Sequence, residues 1–252
     1  MCSGEHARRT TGVKAQRRAF MFVLALVAQK GGSGKSTMAI HLAVEGHRRG
    51  LKTLLIDIDT QASAAKIMDR RGDDPPDVTT EAAGRLEKAT EAARSAGYDF
   101  LVVDTAPQAD RAAAQAAKVA NLVLSPVQPS IVDLDAVDAT IDVCKLANVP
   151  IMFVLNRVPT QGQEITGTVD AIRKRGMQVS AVRWGERKAF RYPFMKGLTA
   201  QEVEPSSKAA SEVKALFDAL QIPTGAQSRS GAGAHVRMRG GAPARMTAGM
   251  KV

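Results

Sequence analysis

The amino-acid sequence predicts an α/β fold, a mostly parallel twisted sheet with helices on both faces. Three observations lead there. Six short runs of β-branched and other apolar residues recur at 22–28, 53–57, 100–104, 122–125, 151–155 and 178–182. Each is apolar almost throughout, as a strand covered on both faces must be, whereas a strand with one wet face would alternate. Stretches of helical periodicity separate the runs, and strand-helix-strand alternation is the pattern of a parallel sheet.

Taken in order, the first run enters a glycine-rich loop, and a helix over 35–49 follows it. Further helices are expected at 61–71, 80–96, 109–119, 133–147, 163–175 and 206–220. Gly50, Gly97 and Gly176 stand just beyond three of these, where a left-handed terminal residue is needed. Asp73-Asp74-Pro75-Pro76 marks a surface turn, Ile222-Pro223 closes the folded region, and no internal repeat is evident.

Composition narrows the class. The chain is 44% apolar and 24% charged, as for a soluble domain with a buried core. Two cysteines, Cys2 and Cys144, supply neither a disulfide framework nor a thiolate metal site, and the four histidines do not cluster at ligand spacing. The net charge of +10 suggests a polyanionic partner, but its distribution is uneven. Residues 1–20 hold five Lys/Arg against Glu5, and 224–252 hold Arg229, Arg237, Arg239, Arg245 and Lys251 with no acid, which leaves the segment between at +1. Three parts are therefore expected: a basic, disordered extension (1–20), one catalytic domain (21–223) and a basic Gly/Ala/Arg-rich disordered tail (224–252). The two ends equally fit simple solvated termini.

Arg17 and Arg18 before the apolar run 19–28 imitate a secretory leader. Cleavage there would remove the strand that feeds the glycine-rich loop, so secretion is rejected, and Met21 is an alternative natural start. A cytoplasmic location is expected, and no apolar run approaches the roughly 20 residues needed to span a bilayer.

The loop carries the chemistry. Gln29-Lys30-Gly31-Gly32-Ser33-Gly34-Lys35-Ser36-Thr37 joins a strand to a helix start. Glycines let successive backbone N–H groups converge on one anion, and the helix start adds partial positive charge. Lys35 is placed to reach the β and γ phosphates of a nucleotide, the Ser36 hydroxyl to ligate Mg²⁺, and Thr37 to reach the α phosphate. These features predict a P-loop NTPase using ATP and Mg²⁺. Asp57 and Asp59 at the end of the second strand, and Asp104 at the end of the third, face the same crevice if the strands are parallel. A lone Asp at a strand end is commonly just a cap, but two beside such a loop favour the functional reading.

Gln29 stands where the standard loop has its first glycine, and Lys30 precedes Gly31. This KGGxGK[ST] form resembles the deviant Walker A family, which includes ParA partition ATPases, MinD and the nitrogenase iron protein. The resemblance spans roughly 22–220 and is closest to the small ParA type. It implies a dimer in the ATP state, with Lys30 crossing to the nucleotide of the other subunit; the bland alternative is a solvated loop lysine. It implies that Asp104 holds Mg²⁺ through water or through Ser36, that Asp57 lies near the metal, and that Asp59 orients the attacking water. In Val154-Leu155-Asn156-Arg157-Val158, Asn156 either reads the adenine edge, as the resemblance implies, or caps a turn. Thr60 and Ala106 depart from the family pattern, which leaves loop geometry open.

For this branch the resemblance implies slow, switch-like hydrolysis, nonspecific DNA binding when ATP-loaded, release by a ParB-like or cargo-adaptor partner, and a place on the nucleoid. Candidate DNA contacts are Arg183, Arg187, Lys188, Arg191, Lys196, Lys208 and Lys214, each of which is alternatively an ordinary surface charge. Twenty residues before the first strand are too few for a helix-turn-helix domain, so operator recognition is not expected. Two other readings remain. A MinD-like membrane-surface ATPase needs a terminal amphipathic helix, and Val213, Leu216, Phe217 and Leu220 do form an apolar stripe, although core packing explains it too. A metabolic or metallocluster-transfer relative is the other, its cluster form disfavoured by the lack of paired cysteines.

Overall fold

A computed structural model describes residues 20–107, 110–129, 134–162 and 164–222. Seven parallel strands form one sheet in the order β3-β2-β4-β1-β5-β6-β7. They are β1 (Phe22–Leu26), β2 (Thr53–Asp57), β3 (Asp77–Thr80), β4 (Phe100–Asp104), β5 (Leu122–Val127), β6 (Ile151–Leu155) and β7 (Gln178–Val179). The α-helices among the described residues are α1 (Lys35–Arg48), α2 (Ser63–Met68), α3 (Leu86–Ser95), α4 (Asp110–Val119), α5 (Leu134–Ala147), α6 (Glu164–Lys174), α7 (Ala200–Val203) and α8 (Lys208–Ala219).

The period of two along each strand divides the core. Phe22, Leu24 and Leu26 of β1, with Leu55, Phe100, Val102 and Leu124, pack on α1, α8 and Trp184. Val23 and Ala25, with Ile56, Leu101, Val103 and Val123, pack on α3, α4, α5 and α6. The four central strands β2, β4, β1 and β5 are buried at every residue. This is why their sequences read as unbroken apolar runs.

The sheet differs from expectation at its edges. The turn expected at 73–76 is present, but the helix expected from 80 is not: Asp77–Thr80 pairs with β2, and α3 starts six residues later, after a 3-10 turn at Ala83–Arg85. None of the four side chains of β3 is fully buried, so the strand has no apolar run by which to be read. The helix expected at 61–71 is α2 closed by a 3-10 turn, Asp69–Arg71. The strand expected at 178–182 is only two residues long. Two 3-10 turns, Lys188–Phe190 and Tyr192–Lys196, and the short α7 fill the stretch before α8. Both charged ends of the chain, 1–19 and 223–252, lie outside the described residues.

Candidate functional site

The loop between β1 and α1 sits at the carboxyl edge of the sheet, flanked by the ends of β4 and β5. Gly34 precedes α1 with φ of 106°, a region closed to most side chains. A Cβ there would also overlap Asn156 Nδ2. The first turn of α1 contains no acidic residue, so its partial positive charge is left for a ligand. Amide side chains brace the loop from neighbouring strand ends: Asn156 Nδ2, after β6, donates to Ser33 O at 2.6 Å, and Gln128 Nε2, after β5, donates to Gly32 O at 2.9 Å. Gln29 Nε2 donates to Asp110 Oδ1 at 2.7 Å and ties the loop to α4.

Lys35 is 5% exposed, and its Nζ donates to Ala28 O at 3.1 Å, folding the side chain back over the loop. Burial pulls its pKa below the ordinary lysine value, while Asp104 and Asp59 push the other way. Lys30 is half-buried at the loop's start.

Two carboxylates stand side by side, because Asp57 of β2 and Asp104 of β4 are paired in register. Their surroundings differ. Asp57 is saturated: Oδ1 accepts from Asp59 N at 2.9 Å, and Oδ2 accepts from Ala64 N at 2.9 Å and Ala65 N at 3.1 Å. It therefore anchors the start of α2. Asp104 is fully buried, no main-chain N–H reaches either carboxylate oxygen, and the Ser36 hydroxyl is the hydrogen-bonding side chain beside it. Burial raises its pKa to about 7, against the favourable influence of Ser36 and Lys35. Asp59 is half-exposed, with Oδ1 accepting from Gln61 N at 2.9 Å.

The site fits Mg²⁺ on chemical grounds. A buried carboxylate with so little compensation costs several kcal/mol unless a cation meets it. Ser36 supplies a neighbouring oxygen. No group of three or more His, Cys, Asp or Glu gathers to hold a metal among the described residues. Magnesium needs none, since it takes few protein ligands and completes its shell with phosphate and water.

Sequence reasoning misses His41. It is fully buried one helical turn after Thr37, where its Nδ1 donates to Thr37 O at 2.8 Å and its Nε2 accepts from Ala200 N at 3.3 Å. Burial lowers its pKa to about 4, so the ring is neutral. The i,i+4 spacing from Thr37 is visible in the sequence; the contact with Ala200 is not.

The DNA-contact candidates separate into two groups. Arg183, Lys188, Arg191, Lys196 and Lys208 are exposed. Arg187 is half-buried and engaged with Glu212 at 2.6 Å, and Lys214 Nζ donates to Pro205 O at 3.1 Å. Arg187 and Arg191 also line a small cavity with Gly34, Thr37 and Asn156, which brings them to the rim of the phosphate loop.

The model of the CobQ/CobB/MinD/ParA nucleotide binding domain matches residues 24–189, more than half of the chain. The chain belongs to this family. Among family relatives, the chromosome-partitioning ATPase Soj of Thermus thermophilus is 32% identical over 143 residues, 45% of this chain and 57% of Soj. The matched stretch thus spans little more than half of that relative's length. Protein ParA of Rhizobium radiobacter is 25% identical over 192 residues, 70% of this chain and 84% of that protein. Among solved structures, the septum site-determining protein MinD of Pyrococcus horikoshii, complexed with Mg-ADP, superposes with a TM-score of 0.67 at 20% identity, covering 80% of this chain and 96% of MinD. A variant of Cyanothece McdA in complex with ATP gives 0.64 at 16% identity, covering 82% and 98%. These two likenesses show the fold of the family.

Proposed function

We propose that the protein is a Mg²⁺-dependent ATPase of the partition type, which dimerises on ATP, binds DNA without sequence preference and is released when a partner protein stimulates hydrolysis. The observation that carries the ATPase reading is the juxtaposition of a folded-back, buried Lys35 with the fully buried carboxylate of Asp104, which no main-chain N–H reaches, at an acid-free helix start. A triphosphate with its cation would satisfy all three.

In this reading the backbone amides of Gly31, Gly32, Ser33, Gly34 and Lys35, with Ser36 and Thr37, bind the phosphates, and Lys35 swings from Ala28 O to the β and γ oxygens. Ser36 and Asp104 hold Mg²⁺, which neutralises phosphate charge. Asp57, committed to α2, holds the segment bearing Asp59, and Asp59 orients the attacking water. Asn156 fixes the loop beside the base. Lys30 reaches the nucleotide of a second subunit. Little covalent chemistry is asked of the side chains, because phosphoryl transfer depends on positioning and charge neutralisation.

Support for the DNA reading comes from the likeness to the chromosome-partitioning ATPase Soj and from the exposed Arg183, Lys188, Arg191, Lys196 and Lys208. The apolar stripe Val213, Leu216, Phe217 and Leu220 is at most 3% exposed, which supports core packing rather than a membrane-binding face. No helix among the described residues is long and apolar enough to cross a membrane. A cytoplasmic, nucleoid-associated location follows from the proposal.

The deciding experiment measures duplex DNA binding with ATP, with ADP and without nucleotide, across a salt series. ATP-dependent binding that weakens steeply with salt is expected. Binding to anionic liposomes with no DNA affinity would replace this reading by a membrane-surface one. In parallel, Asp59→Ala is expected to retain ATP binding and lose hydrolysis; normal turnover in that variant removes Asp59 from the water-orienting role.

A further inference from the structure

Two separate tethers run from the phosphate site to a single segment, residues 190–202. The first starts at the loop. Thr37 O accepts from His41 Nδ1, Ala200 N donates to His41 Nε2, and Gln201 Nε2 donates to His41 O at 2.8 Å. The imidazole is enclosed by Trp184, Phe190 and Phe194, with ring centroids 5.2–5.6 Å away.

The second tether starts at the carboxylates. Asp57 holds the first turn of α2, and α2 continues into the turn Asp69–Arg71. From that turn Arg70 Nη1 donates to Phe194 O at 2.9 Å. The side chain of Arg71, 6% exposed, pairs with both oxygens of Glu202 at 2.8 and 2.9 Å and also donates to Gly197 O at 2.8 Å. Glu202 in turn accepts from Thr199 N and Oγ1, so the ion pair is built into the start of α7. The backbones touch as well. Gly197 has φ of 68°, and a Cβ on it would lie 2.7 Å from Arg71 N and 2.8 Å from the Arg70 carbonyl carbon.

The far side of the same segment is open to solvent. Tyr192 is 72% and Met195 70% exposed, between the exposed cations Arg191 and Lys196. Lone exposed apolar groups are ordinary; two of them on a basic segment gripped from behind by both halves of the phosphate site are not explained by packing.

We propose that Arg71 is a positioning residue: with Arg70, Gly197 and Glu202 it forms the joint through which occupancy of the phosphate site sets the conformation of residues 190–202, the segment that carries the exposed Arg191, Tyr192, Met195 and Lys196. This rests on the nucleotide-binding reading above and adds the route by which the bound state is reported. A ligand shifts such a segment only through contacts that differ between its two states. Both tethers start beside the groups that would contact a nucleotide, the first at Thr37 and the second at Asp57, next to Asp59. A half-buried bidentate pair transmits displacement because its geometry is narrow.

The protein carries its own probe. Trp184 is the single tryptophan, fully buried, stacked on Phe190 at 4.5 Å and in edge contact with His41. Its emission should change when the wild-type protein is saturated with a slowly hydrolysed ATP analogue and Mg²⁺, nucleotide uptake being measured separately by calorimetry. Two variants test the joint. Arg71→Met combined with Glu202→Gln removes both charges, so neither is stranded. Gly197→Ala pries the backbones apart without altering charge. Each is expected to bind the analogue within about threefold of wild type, a margin under about 1 kcal/mol, and to lose most of the Trp184 response. A full response in a variant that binds, or no response in wild type that binds, overturns the proposal. Hydrogen exchange on wild type needs no substitution: amides of 190–202 should gain at least about tenfold protection with nucleotide, and unchanged exchange overturns the proposal even if the variants do not fold. Failure of wild type to take up nucleotide at all is a different result, and it removes the ATPase reading itself.

Discussion

Gly34 shows how narrowly one residue conditions the phosphate loop. Its positive φ admits few side chains, and the space beside it is filled by Asn156 Nδ2, itself bonded to Ser33 O. Gly34→Ala is expected to cost about 1–3 kcal/mol of stability from backbone strain and to weaken ATP binding at least tenfold; denaturant unfolding and calorimetry measure the two effects. His41 makes a prediction in pH. Its folded-state pKa of about 4 lies below the ordinary 6.5, so the unfolded chain binds the extra proton first. The stabilisation from neutral His41 is complete above pH 6.5 and is lost as pH falls from 6.5 towards 4, a change of about 3 kcal/mol. A His41→Phe variant should show a flatter stability profile over that window in urea titrations; an unchanged slope would mean the ring is not held neutral.

Helices α1 and α8 are joined by one arginine, an effect that belongs to the elements rather than to the site. Arg49 pairs with Glu45 at 2.8 Å and with Asp218 at 2.8 Å, and its guanidinium lies 5.3 Å from the Phe217 ring centroid. Glu45 is 2% exposed, and its Oε2 already lacks a partner among the described residues. Arg49→Ala would strand that carboxylate, and the expected loss is about 2–3 kcal/mol. Replacing Asp218 instead should cost well under about 1 kcal/mol, because that end of the bridge is solvated. Comparing the two variants by chemical unfolding separates burial from simple charge loss. The strand β3 illustrates the opposite case, an element held by register with β2 more than by its own side chains.

For the whole molecule, charge is unevenly placed. The described body carries exposed cations late in the chain, while much of the formal +10 resides in the two ends. If DNA is bound through the body, Lys196→Ala should weaken binding roughly equally across sequences and reduce the salt slope by about one. Arg187→Ala should act differently. It leaves Glu212 without its 2.6 Å partner beside Trp184 and Gly185, so lost stability should accompany any lost affinity. Binding isotherms at several salt concentrations, set beside melting curves, distinguish a phosphate contact from a packing residue.

Sequence alone determined the central sheet, the phosphate loop and the acidic strand ends. Buried parallel strands leave unbroken apolar runs, and a loop that must turn its amides toward an anion leaves a glycine pattern; both are local requirements, written in consecutive residues. Tertiary structure decided what depends on distant partners. Asp57 and Asp104 look alike as strand-terminal acids, yet one takes main-chain donors from α2 and the other is fully buried with none. The seven candidate cations are equivalent in sequence until Glu212 and Pro205 engage two of them. The edge strand β3 and the Arg71–Glu202 pair are likewise invisible there, because neither hydrogen-bond register between strands nor an ion pair 131 residues apart leaves a periodic trace in the chain.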